Sequence, residues 1–281
     1  MRTEDLFAWI KERHAVYTRK AAGLPKPWTQ DPILQKFRFC NVYRELDTVT
    51  QWIAGHWRDP HTTNPDVWFA MAVARLVNWP DALQEICFPV PWNALAFAEA
   101  LEFRKRGGRK AFTATYITPA PRAGSDYDGS KAWYIAGELL NPLWAGREVI
   151  RPHDGDTLAS FYDRLRKIKG IGGFMAGQIV CDTKYTETLK DANDWWTWAT
   201  PGPGSRRGLA RVFDKPVTYN WKDAEWKTHL DTLRTDISLM AYDADLPPIH
   251  AQDLQNCLCE FDKYERVRLG EGRPRNNYPG T

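Results

Sequence analysis

Carboxylate, amide and guanidinium side chains are concentrated in the stretch PWTQDPILQKFRFCNVYRELDTVTQWI near the N-terminus. Projected on a helix, this stretch has an apolar stripe made of Phe39, Val42, Leu46, Val49 and Ile53. The other side gathers Arg38, Asn41, Arg44, Glu45 and Thr48, with Asp47 at its edge. Arginines beside an amide and a carboxylate can bind phosphate and read the edge of a base. A solvated polar face, in which Arg44 pairs with Asp47 at the i, i+3 spacing, is the alternative.

A second polar face is predicted near the C-terminus, in IHAQDLQNCLCEFDKYERV. Helical spacing assigns Leu254, Cys257, Leu258 and Phe261 to the buried side, and Asp253, Asn256, Glu260 and Lys263 to the other side. If this face lines a pocket, Glu260 can accept a proton and Lys263 can hold an anion. If it faces solvent, the two side chains form a surface ion pair that contributes little stability.

A Gly-Ile-Gly sequence separates two helical segments in LRKIKGIGGFMAGQIV, residues 165–180. The pattern predicts two packed helices with Gly170 and Gly172 in the turn between them. Such a turn brings the amides at the start of the second helix close to a phosphate of DNA. Lys167 and Lys169 add positive charge at the same place. An ordinary connection between two helices is the alternative.

Two aspartates, Asp191 and Asp194, lie in KDANDWWTW beside three tryptophans. A carboxylate held against indole rings is partly desolvated, which raises its pKa and suits it to proton transfer. Asp194 is the preferred candidate because the tryptophans follow it closely. A helix-capping aspartate explains either residue nearly as well.

The segment TPGPGSRRGLARV predicts a helix start that can bind an anion. Ser205 is the predicted N-cap, and open backbone amides are expected to face outward beside Arg206 and Arg207. The GxxxxGK[ST] spacing of a Walker loop is absent from the sequence, so ATP binding of that type is not supported. An ordinary helix cap with two solvated arginines is the alternative.

Helices are expected to position these residues, because apolar residues recur at helical spacing along most of the chain and alternating runs are nearly absent. Segments rich in proline and glycine separate about ten such helices. We therefore predict an all-α protein, one helical unit over residues 1–281 with two approximate lobes. One lobe comprises 1–60 and 215–281, and the other comprises 61–214 and contains the hairpin at 160–182.

The charge balance argues for a local nucleic-acid site, because 38 basic and 35 acidic side chains leave a formal net charge of only +3. The five cysteines form no CxxC pair, which argues against a disulfide framework or a zinc site and predicts reduced thiols in a cytoplasm. The N-terminal segment MRTEDLFAWIKERHAVYTRK lacks the apolar core of a signal peptide. We expect no N-terminal export signal and no membrane partner.

Four motifs occur in order: PWTQDPILQKFRFCNVYRELD, IKGIGGFMAGQIVCD, DWWTWATPGPGSRRGL and LQNCLCEFDKYERV. Together they resemble the α-glutamyl/putrescinyl thymine pyrophosphorylase clade of thymidine-hypermodifying bacteriophages, some members of which are called amino acid:DNA transferases. The similarity extends over about residues 7–267. It implies a helix-hairpin-helix DNA glycosylase-like fold, with two helical lobes and a cleft between them. In that superfamily a catalytic aspartate follows the hairpin by roughly twenty residues, which is where Asp194 stands.

The resemblance implies a transferase that acts on a base already in DNA. The reaction is displacement of pyrophosphate from 5-pyrophosphoryloxymethyluracil by an amine, either an amino acid such as glycine or glutamate or a polyamine. The implied residues for pyrophosphate and substrate are Arg38, Asn41, Arg44, Ser205, Arg206, Arg207 and Lys263. The implied residues for proton transfer or amine anchoring are Asp47, Asp194 and Glu260. The implied partners are double-stranded DNA with a flipped base and a free amino acid or polyamine, in the cytoplasm of an infected bacterium.

No cofactor is firmly expected. Some superfamily members bind a monovalent cation through the hairpin carbonyls, and Mg²⁺ often accompanies pyrophosphate, but no carboxylate cluster here has a diagnostic spacing. Two other functions stay open: a glycosylase or lyase that removes a modified base, and a non-catalytic DNA-binding accessory. The second hairpin helix lacks the lysine that bifunctional glycosylases use as nucleophile, which disfavours lyase chemistry. A related helical domain occurs fused to a kinase for 5-hydroxymethyluracil in DNA, but this chain has no P-loop.

Overall fold

The computed structural model describes residues 1–113 and 120–274, which form helices joined by turns and contain no β-strand. The predicted all-α class is confirmed. The α-helices are α1 (Thr3–Ala21), α2 (Pro32–Lys36), α3 (Thr48–Ile53), α4 (Val67–Val77), α5 (Pro80–Ile86), α6 (Ala94–Arg106), α7 (Lys131–Tyr134), α8 (Asn141–Ala145), α9 (Arg147–Ile150), α10 (Leu158–Arg166), α11 (Gly173–Thr183), α12 (Pro203–Val212), α13 (Asp223–Asp243) and α14 (Ala251–Arg268). Short 3₁₀ or π segments lie at Arg44–Leu46, Ala54–Arg58, Asp59–His61 and Ile135–Leu140.

The helices form two compact units. The first consists of Met1–Asp47 with Trp196–Thr281, and the second consists of Thr48–Trp195. These boundaries differ from the predicted ones at 60/61 and 214/215, because α12 packs against α14 and so belongs to the first unit. Gly208 of α12 comes so close to α14 that a Cβ would stand 2.0 Å from the backbone oxygen of Leu258. Glycine therefore permits the close contact of these two helices.

The core of the first unit is built from the apolar faces of α1, α13 and α14. It includes Leu6 and Ile10 of α1, Trp226, Leu233 and Ile237 of α13, and Leu254, Leu258 and Phe261 of α14. Each side chain of this kind contributes about 1.5–3 kcal/mol when it is fully buried. The buried side that was predicted for the C-terminal helix is therefore confirmed.

The helix predicted through the N-terminal polar stretch is not continuous. Asp31 caps α2, which ends at Lys36, and residues 37–43 are not helical. Phe39 and Val42 of this segment are nevertheless buried. The segment can leave the helix because side chains of α14 accept hydrogen bonds from the backbone amides of Cys40 and of Arg44, which directly follows the segment.

The centre of the second unit is α4, in which every residue from Val67 to Val77 is buried. The neighbouring helix α11 is held to it by a buried ion pair. Arg75 donates from Nε and Nη2 to Asp182 at 2.5 and 2.6 Å, and neither side chain is more than 2% exposed. Thr50 and Asn78 accept further hydrogen bonds from the same guanidinium. This network fixes the helix that follows the Gly-Ile-Gly turn.

Candidate active site

The carboxylate of Glu260 joins α14 to the nonhelical segment 37–43. Its Oε2 accepts a hydrogen bond from the Cys40 backbone amide at 3.0 Å, and its Oε1 lies 2.6 Å from Lys263 Nζ. The Glu260 side chain is 4% exposed and that of Lys263 is 27% exposed. The pair is therefore buried at one end and open at the other, which excludes the fully solvated alternative for Glu260.

Lys263 stays protonated in this environment. Burial lowers the pKa of its ammonium, but the Glu260 carboxylate and other nearby groups together hold the pKa above its ordinary value. A charged lysine can hold an anion, whereas a Schiff-base nucleophile must be neutral. The environment agrees with the predicted anion-binding role, which stays a prediction.

Asp47 lies beside the same segment, and its Oδ1 accepts the backbone amide of Asn41 at 3.0 Å. Burial raises the pKa of this carboxyl above its ordinary value, while the hydrogen bond from Asn41 and the charge of Arg44 act in the opposite direction. A carboxyl group that keeps its proton to higher pH is better matched to general acid–base chemistry near neutrality.

Asn41 holds the segment in place through all of its polar groups. Besides the hydrogen bond from its backbone amide to Asp47, its Nδ2 donates to the Leu46 carbonyl at 2.8 Å. Its backbone carbonyl accepts a hydrogen bond from Asn256 Nδ2 at 3.3 Å. Its Oδ1 accepts from Arg13 Nη2 at 2.6 Å. The amide that was predicted to read a base is thus engaged in ordering the loop.

Cys40 marks the exposed edge of this group of residues. The pKa of its thiol lies well above the ordinary value, mainly because of the nearby Glu260 carboxylate. The thiol is therefore protonated at neutral pH and is a poor nucleophile. We define the Glu260 cluster as Cys40, Asn41, Asp47, Glu260 and Lys263.

The two arginines predicted to accompany Asn41 have different environments, since Arg38 is exposed and Arg44 is buried. The backbone amide of Arg44 donates to Asp253 Oδ1 at 3.0 Å. The other oxygen of Asp253 lies 3.1 Å from His250 Nε2. Asp253 therefore orders the end of the nonhelical segment as Glu260 orders its middle.

The predicted N-cap at Ser205 is wrong. The helix α12 begins at Pro203 with Gly202 as its N-cap, and Ser205 Oγ accepts from the Gly202 amide at 2.9 Å. Ser205 is fully buried, and its hydroxyl contacts the N-cap residue in the first turn of the helix.

Arg206 and Arg207, the arginines of α12 that were predicted to bind an anion, are both engaged in ion pairs. Arg206 pairs with Asp223, and Arg207 Nε lies 2.9 Å from Asp262 Oδ2 of α14. The Arg207 side chain is nevertheless 37% exposed, so it can still meet a ligand. Pyrophosphate binding by these arginines stays a prediction.

Asp194 lies in the second unit and caps a helix. Its two carboxylate oxygens accept from the amides of Leu158 and Ala159 at 2.7 and 3.0 Å, at the start of α10. This is the alternative that the sequence left open, and the catalytic role of Asp194 stays a prediction.

The indole of Trp195 lies over the ammonium of Lys184, with Nζ 3.6 Å from the ring centroid.

The Gly-Ile-Gly turn joins α10 to α11 as the sequence predicts. Gly170 has a φ of 87°, and a Cβ at this position would stand 2.2 Å from Leu139 Cδ2, so the fold itself requires glycine. Gly172 is the N-cap of α11 at a φ of −75°, and a Cβ there would meet nothing within 4 Å. The N-cap residue Gly172 has no side chain with which to cap the first amides of α11, and Lys167 and Lys169 are exposed nearby. A phosphate can therefore approach this helix start.

Within the described residues, no group of three or more His, Cys, Asp or Glu side chains is arranged to hold a metal ion. No helix in 1–113 or 120–274 is both long enough and apolar enough to cross a membrane. Mg²⁺ with pyrophosphate and a monovalent cation at the hairpin stay predictions.

Arg13 is a residue of this site that the sequence analysis did not single out. It is 6% exposed, and its Nη2 donates to the Phe39 carbonyl at 3.0 Å as well as to Asn41. The signal was present, because Arg13 follows Leu6 and Ile10 at helical spacing and so lies in the apolar stripe of α1. A guanidinium in such a stripe must find acceptors inside the protein.

Similarity to known proteins identifies the family. The model of the family described as 5-hmdU DNA kinase, helical domain, matches residues 1–273. The chain belongs to this family. A 5-hmdU DNA kinase of Bacillus phage SP10 is 22% identical over 282 residues, which cover 91% of this chain and 43% of the phage protein. No solved structure matches the chain.

The chain thus spans less than half the length of the phage relative. This family assignment is coarser than the transferase clade that the four motifs resemble. The helix-hairpin-helix glycosylase-like fold and the transferase activity therefore stay proposals.

Proposed function

We propose that the chain is a transferase that replaces the pyrophosphate of 5-pyrophosphoryloxymethyluracil in DNA with an amine. The observation that carries this proposal is the Glu260 cluster, in which a protonated lysine and two carboxylates meet at one half-buried segment. The phage relative is named a 5-hmdU DNA kinase, which supports 5-hydroxymethyluracil, in phosphorylated form, as the base.

The reaction requires a cation for the leaving group and a base for the amine. Lys263 neutralises the pyrophosphate as the bond between the methylene carbon and its oxygen breaks. Asp47 takes one proton from the incoming ammonium, and the freed nitrogen lone pair forms the C–N bond. Glu260 orients Lys263 through their ion pair. Water must be kept away, because hydrolysis returns the hydroxymethyl base.

The hairpin supplies a DNA contact in this proposal. Backbone amides at the start of α11 bind a phosphate at the open surface of Gly172, and Lys167 and Lys169 add charge. Such a contact positions the duplex without reading its sequence. The modified base must then leave the stack to react.

The test is mass spectrometry of nucleosides from duplex DNA that carries 5-pyrophosphoryloxymethyluracil, after incubation with the protein and a mixture of amino acids and polyamines. Parallel reactions contain Mg²⁺ or EDTA. We expect a nucleoside in which one amine has replaced the pyrophosphate. Lys263→Met should lower its yield at least about tenfold, whereas Lys227→Met, which removes an exposed lysine from α13, should not change it.

The same spectra contain the outcomes that contradict the proposal. Recovery of only the starting nucleoside or its hydroxymethyl form would exclude transfer to these donors under these conditions. Abasic sites without an amine adduct would instead indicate a glycosylase.

A second candidate function is a non-catalytic domain that recognises 5-hydroxymethyluracil in DNA and presents it to a kinase. The family match favours it, since the chain corresponds to the helical domain and covers 43% of the kinase relative. The GxxxxGK[ST] motif is absent from the sequence. Such a domain should bind duplex containing 5-hydroxymethyluracil more tightly than matched thymine duplex, as measured by fluorescence anisotropy, and should form no adduct with any amine.

A further inference from the structure

Three arginines of the first unit converge on one buried carboxylate. Asp262 is fully buried, and its Oδ2 lies 2.9 Å from Arg207 Nε and 3.4 Å from Arg266 Nε. Its Oδ1 lies 3.0 Å from Arg211 Nε. Arg211 also pairs with Glu271 through Nη2 at 2.5 Å. Arg211 thus has a second carboxylate, and the other two arginines share one oxygen.

Arg207 and Arg266 present unused hydrogen-bond donors. Each contacts Asp262 most closely through Nε, and neither Nη group of either guanidinium has a hydrogen-bond partner among the described residues. Arg266 Nε is itself buried and makes no hydrogen bond of good geometry. The two side chains are 37% and 32% exposed, so a ligand can reach them. Paired planar donors of this kind match the oxygens of a phosphate.

The charge at this place is also unbalanced. Among the described residues, three guanidiniums pair with two carboxylates, Asp262 and Glu271, which leaves one positive charge in excess. Lys263 precedes Arg266 by three residues and so lies on the same face of α14, where it forms an ion pair with Glu260. An anion is therefore the ligand that would compensate Arg207 and Arg266.

The arginine pair lies close to the Glu260 cluster. The pKa of the Cys259 thiol is raised to about 11 by burial and then by Glu260, and both Lys263 and Arg207 act on it in the opposite direction. One thiol thus lies within electrostatic range of the lysine of the cluster and of the first arginine of the pair.

We propose that Arg207 and Arg266, oriented by the buried Asp262, form a binding site for a phosphoryl anion, supplied either by the DNA backbone or by free pyrophosphate. The site rests on its own geometry and does not require the C–N bond chemistry. It adds Arg266 and Asp262 to the anion-binding role predicted for Arg207.

The first experiment compares the double variant Arg207→Gln, Arg266→Gln with wild type. Binding of inorganic pyrophosphate is measured by calorimetry, and binding of unmodified duplex DNA by fluorescence anisotropy at two salt concentrations. We expect a loss of at least about tenfold for one or both probes, because charged hydrogen bonds are removed. The matched control is Arg234→Gln, Arg268→Gln, which removes the same charge from guanidiniums bound by Asp231 and Glu265 and should change neither affinity by more than about twofold.

The two probes distinguish the source of the anion. Loss of pyrophosphate binding alone identifies a site for the free anion, loss of DNA binding alone identifies a backbone contact with a shallower salt dependence, and loss of both shows that the two share the site. Unchanged affinity for both probes overturns the inference. Because neither probe undergoes a reaction, this result is independent of any failure to detect an amine adduct.

Asp262→Asn separates an oriented site from general positive charge. The variant gains one net positive charge, so simple attraction predicts tighter binding, whereas loss of the orienting carboxylate predicts weaker binding by at least about threefold. Thermal unfolding shows whether this variant is folded. If it is not, Arg207→Lys, Arg266→Lys provides the same distinction, because it keeps the charge and removes the planar donors. An affinity equal to that of wild type in this variant would contradict the proposed geometry.

Discussion

The backbone amide of Cys40 donates to Glu260 Oε2 at 3.0 Å, although 220 residues separate them in the sequence. The same carboxylate is the main cause of the raised pKa of the Cys40 thiol. Glu260→Gln removes the charge and keeps an acceptor for the amide, so the thiol pKa should fall towards its ordinary value. Alkylation of Cys40 by iodoacetamide at pH 8 should then be at least about tenfold faster.

Peptide mass spectrometry measures this rate, with Cys87, the other exposed cysteine, as the internal reference in each sample. If Cys40 reacts at the same rate in wild type and variant while Cys87 is unchanged, the carboxylate does not act on the thiol and the geometry of the cluster is wrong.

Asp47→Asn tests the raised pKa of the Asp47 carboxyl. Because the folded state holds this proton more tightly than the unfolded chain, the stabilising contribution of Asp47 is complete below the unfolded pKa and is lost as pH rises through the folded pKa. The side-chain amide of the Asn variant does not titrate, so it has no such loss, and its oxygen can still accept a hydrogen bond from the Asn41 backbone amide. The free energy of unfolding of the variant, relative to wild type, should therefore be higher at about pH 7 than at about pH 3.

Urea denaturation at the two pH values measures this difference. A difference that is the same at both pH values would show that the Asp47 pKa is not raised by folding. In the transferase assay the same variant should lose at least about a hundredfold in turnover, since general base catalysis contributes that much.

Gly170→Ala and Gly172→Ala should affect different properties, the first stability and the second DNA binding. Gly170→Ala should lower the free energy of unfolding by at least about 1–2 kcal/mol, because of its left-handed backbone and its contact with Leu139. Gly172→Ala should leave the unfolding temperature unchanged and weaken DNA binding at least about threefold, because the added methyl group obstructs a phosphate.

Gly55→Ala is the matched control, since a Cβ at Gly55 also meets nothing within 4 Å. Anisotropy with duplex DNA and thermal unfolding of all three variants complete the comparison. If Gly172→Ala bound DNA as tightly as wild type, the hairpin would not be part of the DNA interface.

The role of Asp194 can be determined by measuring the stability and the turnover of its variants separately. Loss of the two hydrogen bonds to the start of α10 in Asp194→Ala should cost about 1–2 kcal/mol of stability, and Asp194→Asn should cost less because one acceptor remains. If Asp194 is only a cap, the turnover per folded molecule is unchanged in both variants. A folded Asp194→Asn protein without turnover would support the catalytic role that the sequence predicts.

Elements with local signals could be predicted from the sequence. The 3.6-residue period predicts the helical class, and the positions of Leu254, Leu258 and Phe261 correctly predict the buried side of α14. The turn at Gly170 could be predicted because the glycine and the helical patterns on either side of it are close together in the sequence. The positive φ of Gly170 agrees with that prediction.

The partner of each polar side chain depends on how distant parts of the chain pack together. The segment 37–43 leaves the helical pattern because Glu260 and Asp253, more than 200 residues away, accept hydrogen bonds from the backbone amides of Cys40 and of Arg44, the residue that follows the segment. Asp194 caps α10 from 36 residues away, and Asp262 collects arginines from α12 and α14. The residue type shows that a buried carboxylate needs a hydrogen-bond donor. A hydrogen bond between distant residues leaves no periodic pattern in the sequence, so the identity of the donor is known only once the helices are packed.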